Sequence, residues 1–142
     1  MENLKTQIQK AVDVYQSGNL KESEKLCNKL IEANKPYAFL YNLLGLILAD
    51  QKRIEEAFKN YEKGLEIDPN FAMIYNNLGL LYARNKDLSN NFNLEKAINY
   101  YKKSISLNKN IPEPHNNLGT LYSSINKIKD AIMFYKKAIE IN

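Results

Sequence analysis

Apolar residues recur along the chain with the period of an α-helix, and turn residues interrupt them at regular intervals. Leu40, Leu44, Ile47 and Leu48 are spaced so that they share one face of a helix, and the segment 54–65 repeats this spacing. No stretch alternates apolar and polar residues as a half-buried strand does. The pattern predicts eight helices, at residues 3–17, 20–34, 37–51, 54–67, 71–86, 94–107, 112–125 and 128–141.

Certain small and aromatic residues return at a fixed interval. Three glycines are 34 and 40 residues apart, and three alanines and three tyrosines are 40 and 34 residues apart. A single period of 34 residues explains all three series if six extra residues lie near 88–93. These positions are Gly45, Gly79 and Gly119; Ala57, Ala97 and Ala131; and Tyr61, Tyr101 and Tyr135.

The recurring small residues predict close contacts between paired helices. A glycine inside a helix costs about 0.5–1 kcal/mol relative to alanine, so three glycines in the same register imply a benefit from packing. We expect each glycine to approach the alanine of the partner helix. One period earlier, Ala11 and Ser23 hold the corresponding positions, which predicts a degenerate first repeat.

These positions resemble the signature of the tetratricopeptide repeat (TPR) family, in which each repeat is a pair of helices. The resemblance covers repeats at 4–36 (degenerate), 38–71, 72–111 (with the insertion near 88–93) and 112–142. It is carried by Tyr41, Leu44, Gly45, Ala57, Tyr61 and Pro69; by Tyr75, Leu78, Gly79, Tyr82, Ala97 and Tyr101; and by His115, Leu118, Gly119, Tyr122, Ala131, Tyr135 and Ala138.

The resemblance implies an all-α fold, a right-handed superhelical solenoid of antiparallel helix pairs, formed here as a single domain over 1–142. In the family, the first helix of each pair lines a concave groove that usually binds a peptide or protein segment, without catalysis. The groove positions in this chain are Phe39, Asn42, Leu43, Leu46, Met73, Asn76, Asn77, Leu80, Arg84, Asn116, Asn117 and Thr120.

Two of these asparagines suggest how a peptide is held. Asn77 and Asn117 occupy the site of the asparagine ladder in TPRs similar to those of O-GlcNAc transferase, where amides bind the backbone of an extended peptide. An amide both donates and accepts, so it can pair with any peptide unit. The alternative is that an asparagine-rich sequence places this residue type there without a role in binding.

The carboxylate clamp of chaperone-binding TPRs is not expected. That clamp uses lysine and arginine, whereas Ile8 and Val12 hold the first pair of positions. In a frame shifted by one repeat, the cation positions hold Asn42, Glu113 and Asn117. The two asparagine positions hold Leu46 and Asn77, so only Asn77 matches. A carboxylate is poorly held without cations.

Composition narrows the functional classes. The net charge of +4 gives little reason to expect nucleic acid, and no apolar run approaches the length of a membrane span. Cys27 and His115 are single copies, so we expect no disulfide, no metal site, no cofactor, and a reducing, cytoplasmic location. Both hold aromatic positions of the repeat and are predicted to be buried. The lysine pairs of the second helices are predicted to be a solvated face.

The last helix carries Ile132, Ile139 and Ile141, and the sequence stops at Asn142, before the repeat's proline position. We therefore expect exposed apolar surface there, either because the array continues in a longer protein or because this helix packs on another copy. Three functions remain open: a peptide-binding module, a scaffold that self-assembles through this helix, and the recruiting segment of a larger enzyme such as a glycosyltransferase.

Overall fold

The computed structural model describes residues 3–84 and 91–141, and within these ranges it contains eight α-helices and no strand. The helices are α1 (Leu4–Gln16), α2 (Leu20–Ala33), α3 (Ala38–Asp50), α4 (Ile54–Ile67), α5 (Ala72–Arg84), α6 (Asn91–Leu107), α7 (Pro112–Ser124) and α8 (Ile128–Ile141). The predicted bounds agree to within one residue, except for the start of α6 and for the predicted end of α5 at 86, which lies outside the described residues. Helix α6 begins at Asn91 rather than at 94, and no proline or glycine between 91 and 94 prevents the additional helical turn.

The predicted insertion at 88–93 is thereby divided. Residues 91–93 form the first turn of α6, and residues 88–90 lie outside the described residues. The extra chain is therefore partly helical.

Consecutive helices pack as pairs within two compact units. In unit 1 (Met1–Pro69), α1 packs on α2, α2 on α3, and α3 on α4. In unit 2 (Asn70–Asn142), α5 packs on α6, α6 on α7, and α7 on α8. The two helices of every pair contact each other, so the predicted all-α fold of helix pairs is confirmed.

Three of the turns inside the pairs use the same backbone conformation at the same position of the repeat. Gly18, Lys52 and Asn126 have φ angles of 82°, 65° and 60°, in the left-handed region. Glycine adopts this conformation without strain, and asparagine tolerates it better than lysine does.

The glycines mark where an aromatic ring crosses the partner helix. A β-carbon built on Gly79 would lie 2.8 Å from Cδ1 and Cε1 of Tyr101, and one on Gly119 would lie 2.8 Å from the same atoms of Tyr135. Gly45 meets the ring of Tyr61 in the same way. Alanine is the expected partner, and at Gly119 the backbone oxygen of Ala131 lies 3.2 Å from this β-carbon, farther than the two ring atoms of Tyr135. The tyrosine ring takes the space because it is the larger flat group at the crossing.

The first repeat is built on the same positions with smaller residues. Ala11, Ser23 and Cys27 are each fully buried. The hydroxyl of Ser23 donates a hydrogen bond of 2.9 Å to the carbonyl of Ala11, which ties α2 to α1. The degenerate repeat therefore forms a packed helix pair.

Candidate functional site

The predicted peptide-binding residues all lie on the first helices of the pairs. In unit 1, α3 carries Phe39, Asn42, Leu43 and Leu46. In unit 2, α5 carries Met73, Asn76, Asn77, Leu80 and Arg84, and α7 carries Asn116, Asn117 and Thr120.

Several of these side chains are too deeply buried to offer much surface to a ligand. Asn42 is 6% exposed, Asn76 is 3% exposed and Asn77 is 4% exposed. Leu43 is also buried, so in unit 1 the accessible predicted residues are the half-buried Phe39 and Leu46.

In unit 2 the buried amides form a connected row that joins two helices. Nδ2 of Asn117 donates a hydrogen bond of 2.9 Å to Oδ1 of Asn76, across 41 residues of sequence. Nδ2 of Asn76 in turn donates to Oδ1 of Asn77 at 3.4 Å, which is a weak bond. Asn76 is thus a structural link between α5 and α7, and it fixes the orientation of the Asn117 amide. The link depends on a long-range contact, so spacing along the sequence did not predict it.

The accessible members of the set in unit 2 surround this row. Asn117, Met73 and Leu80 are half-buried, while Asn116, Thr120 and Arg84 are exposed. Together they combine amide, hydroxyl and apolar groups on α5 and α7.

The hydroxyl of Thr120 is held from two sides. It donates to the carbonyl of Asn116 at 3.1 Å and accepts from the hydroxyl of Tyr135 at 3.2 Å. Tyr135 therefore reaches from α8 to the predicted binding face of α7. The position of Tyr135 in the repeat does not by itself indicate this contact.

Cys27 and His115 are buried, as predicted. Burial, assisted by the carboxylate of Glu24, raises the pKa of the Cys27 thiol to about 12. A thiol with so high a pKa is a poor nucleophile near neutral pH. His115 is 4% exposed, with its ring centroid 6.1 Å from that of Phe134. Its Nε2 lies 3.3 Å from the carbonyl oxygen of Lys109, and its Nδ1 is buried without a hydrogen bond among the described residues.

The residues that the structure describes contain no group of three or more His, Cys, Asp and Glu side chains placed to hold a metal. Across the same parts of the chain, no helix is both long and apolar enough to cross a bilayer.

Several solved structures are similar to this chain over nearly its full length. TTC0263, a thermophilic TPR protein of Thermus thermophilus, is 16% identical, with a TM-score of 0.85 over 99% of this chain and 75% of its own. MamA of Desulfovibrio magneticus RS-1 is 20% identical, with a TM-score of 0.71 over 98% and 75%. YrrB, described as a TPR protein with an unusual peptide-binding site, is 17% identical, with a TM-score of 0.67 over 93% and 65%. At these identities the likeness shows the fold alone.

Two family models match parts of the sequence, whereas a search of the curated proteins gives no match. A model described as TPR repeat matches residues 45–86. One described as tetratricopeptide repeat matches residues 72–111 and 112–142. The chain therefore belongs to the tetratricopeptide repeat family.

Proposed function

We propose that this protein is a non-catalytic interaction module that binds an extended peptide or protein segment on the first helices of its repeats. The observation that carries the proposal is the orientation of Asn117 by Asn76, at 2.9 Å, on a face that also presents apolar side chains. The peptide-binding site named for YrrB belongs to a protein of the same fold and supports this class of function. The buried free thiol of Cys27 is consistent with a reducing, cytoplasmic location.

The chemistry of the face suits a peptide backbone. One N–H of the Asn117 amide is used by Asn76, which leaves its oxygen and its second N–H for a peptide unit. Met73 and Leu80 are seven residues apart on α5, so they lie on one side of the helix, two turns from each other. Since the side chains of an extended peptide alternate in direction, the amide can hold its backbone while the apolar pair contacts its side chains.

The buried members of the predicted set act indirectly in this proposal. Asn76 and Asn77 hold the amide row, and Asn42 and Leu43 pack inside unit 1. Truncating them is expected to disturb folding as well as binding, so they are poor probes of the site.

The test uses a variant restricted to accessible residues. Random peptides displayed on phage are selected on the wild-type protein, and the enriched peptides are measured by calorimetry against Asn117→Ala/Leu80→Ser. We expect binding to weaken by about tenfold or more, because a positioned amide and an apolar contact are each worth about 1 kcal/mol. The matched control is Asn28→Ala on the exposed face of α2, which should bind as the wild type does. Equal binding by all three proteins would contradict the proposal.

A second function, self-association through α8, is favoured by one observation. Ile132 is 49% exposed and Ile139 is 72% exposed. One period earlier, Ile98 and Ile105 of α6 are partly buried against the cluster that contains Leu118. Ile132 and Ile139 of α8 therefore hold the positions at which the second helix of the preceding repeat packs against the next helix.

The first helix, α1, of a second copy is not suited to cover these isoleucines. Leu118 and Leu121 of α7 are buried, whereas the corresponding positions of α1 hold the exposed Lys10 and Asp13. Head-to-tail stacking would cover the isoleucines with charges, which is unfavourable. The occupant that we propose for this face is therefore α8 of a second copy.

Light scattering after size exclusion tests the self-association. The mass should rise with concentration from 16.4 kDa toward twice that value. High salt should favour the rise, because it screens Lys129 and Lys136, which flank Ile132. Ile132→Gln/Ile139→Gln should stay monomeric, while Ile54→Gln/Ile67→Gln, which changes exposed isoleucines of α4, should behave as the wild type. A wild type that remains at 16.4 kDa at every concentration would exclude the dimer.

A further inference from the structure

Unit 2 carries two stacked aromatic pairs at equivalent positions of its repeats. The rings of Tyr82 and Tyr100 have centroids 5.6 Å apart and planes inclined at 18°. The rings of Tyr122 and Phe134 have the same separation and inclination. Each pair joins the first helix of a repeat to its second helix. On α5, Tyr82 comes two residues after Leu80 of the proposed peptide-binding face, about 200° around the helix.

Lysine ammonium groups lie over these rings. In the α5–α6 pair, Nζ of Lys96 is 5.0 Å from the centroid of Tyr82, and Nζ of Lys103 is 5.9 Å from that of Tyr75. Such distances allow a cation–π attraction, which holds the ammonium in place. Nζ of Lys96 is also 3.4 Å from the hydroxyl of Tyr82. In the last repeat, Lys127 and Lys137 lie over Tyr122 and Phe134. Asp130 takes the position of Lys96 there. Helix α6 is the more basic second helix, with three lysines and one acidic residue against three lysines and two acidic residues in α8.

Lys96 and Lys103 flank an open depression of about 270 Å³ on α6. It is lined by Tyr75, Lys96, Asn99, Tyr100 and Lys103. Asn99 and Lys103 are exposed, and the Asn99 amide adds a further donor between the lysines.

The depression belongs to the basic half of the sequence. Residues 70–142 hold ten Lys and Arg against five Asp and Glu, a net charge of +5. Residues 1–69 hold ten against eleven, a net charge of −1. An anionic partner is therefore attracted to unit 2.

The geometry points to an acidic peptide segment as the ligand of this depression, with carboxylates three residues apart. Lys96 and Lys103 are two helical turns apart, about 10 Å along the axis of α6. An extended peptide covers about 10 Å in three residues, so residues i and i+3 each reach one ammonium. Each lysine is already positioned by a ring, which lowers the entropy lost on forming the ion pair.

Single-stranded nucleic acid fits the same surface less well. Its binding to basic surfaces relies on bases that stack on open aromatic faces. Here Tyr100 is stacked on Tyr82, and ammonium groups lie over the faces of Tyr82 and Tyr75. The arrangement therefore offers charge and hydrogen bonds but little free aromatic face.

Fluorescence anisotropy at low salt tests this ligand directly. The probes are a labelled eight-residue peptide with two glutamates three residues apart, the same peptide with glutamines, and a labelled oligothymidine. The variant Lys96→Gln/Lys103→Gln should bind the glutamate peptide about tenfold more weakly than the wild type, as expected for two lost ion pairs. Lys109→Gln/Lys129→Gln changes the net charge equally at exposed sites without ring contacts among the described residues, and should bind within about twofold of the wild type.

The inference fails if both lysine pairs have the same effect, if the glutamine peptide binds equally well, or if no peptide binds. It also fails if oligothymidine binds more tightly than the glutamate peptide and depends on Lys96 and Lys103, which would make nucleic acid the ligand. Asn117→Ala/Leu80→Ser is expected to bind the glutamate peptide as the wild type does. Failure of the proposed peptide-binding function would thus be distinguished from failure of this one.

Discussion

The ring of Tyr101 lies against the backbone of Gly79, so close that a β-carbon on Gly79 would be 2.8 Å from two ring atoms. Tyr101 is 1% exposed, so its ring is enclosed by other atoms of the protein. The glycine therefore serves to admit the ring rather than to loosen the helix. This contact fixes how α5 and α6 pack, and equivalent contacts occur in the α3–α4 and α7–α8 pairs.

Substituting Gly79 tests this contact, because a larger residue improves the helix propensity but overpacks the site against the ring. Alanine favours a helix over glycine by about 1 kcal/mol. Overpacking a buried site costs about 1–3 kcal/mol. Because the ring is enclosed, we expect Gly79→Ala to lower the free energy of unfolding by about 1 kcal/mol, and Gly79→Leu to lower it by several kcal/mol. Urea denaturation followed by circular dichroism measures both.

Tyr101, the other residue of this contact, provides the control experiment. In a Tyr101→Leu background the ring is absent, so Gly79→Ala should become neutral or stabilising. If the substitution has the same effect in both backgrounds, the ring does not explain the glycine.

The first repeat provides the reciprocal experiment. Ala11 and Cys27 hold the positions that glycine and tyrosine hold in the other repeats, and both are fully buried. We expect Cys27→Tyr to destabilise the protein by about 2 kcal/mol or more, because the β-carbon of Ala11 occupies the space for the ring. Ala11→Gly/Cys27→Tyr should recover most of this loss, as measured by thermal unfolding. A double variant as unstable as the single one would show that the two repeats do not share this packing.

The helices could be predicted because their determinants are local. The apolar spacing from Leu40 to Leu48 defines a helix, and Pro112 marks the start of one. The predicted start of α6 is three residues too late, because several closely spaced asparagines (Asn90, Asn91 and Asn93) each suit a helix start and spacing does not choose among them. Burial of Cys27 and His115 followed from their positions in the repeat, and the structure agrees.

The binding face was harder to predict because it depends on contacts between distant segments. Repeat spacing places Asn76 among the predicted ligand-binding residues, but it does not show that this side chain is 3% exposed and accepts a hydrogen bond from Asn117. Spacing likewise does not show that a tyrosine ring lies against Gly45, Gly79 and Gly119, since it gives the register of two helices but not which side chain crosses the other. Lys103 is exposed, as predicted for the lysine pairs of the second helices, but spacing does not show that its ammonium lies over the ring of Tyr75 on α5.

The left-handed turn residues predict a pair of substitutions with opposite effects. Lys52 has a φ of 65°, which costs a non-glycine residue about 1 kcal/mol, whereas Gly18 adopts the same conformation freely. We expect Lys52→Gly to raise the free energy of unfolding by about 0.5 kcal/mol, after the entropy of glycine in the unfolded chain is subtracted. Gly18→Lys should lower it by about 1 kcal/mol. Changes of equal sign in urea denaturation would refute the common turn geometry.

The buried thiol of Cys27 predicts a loss of stability at alkaline pH. Its pKa is raised by burial from 9.0 to about 12, so the folded protein keeps the proton in a range where the unfolded chain releases it. Stability from this group is therefore complete below pH 9 and declines as the pH rises toward 12. The variant Cys27→Ala removes the titrating thiol. Burial also raises the pKa of Tyr101, but this residue is present in both proteins, so its effect cancels when the two are compared. The difference in unfolding free energy between wild type and variant should be constant below pH 9 and should shift in favour of the variant above it. A difference that stays constant across this range would mean that the thiol is not enclosed by the α1–α2 pair.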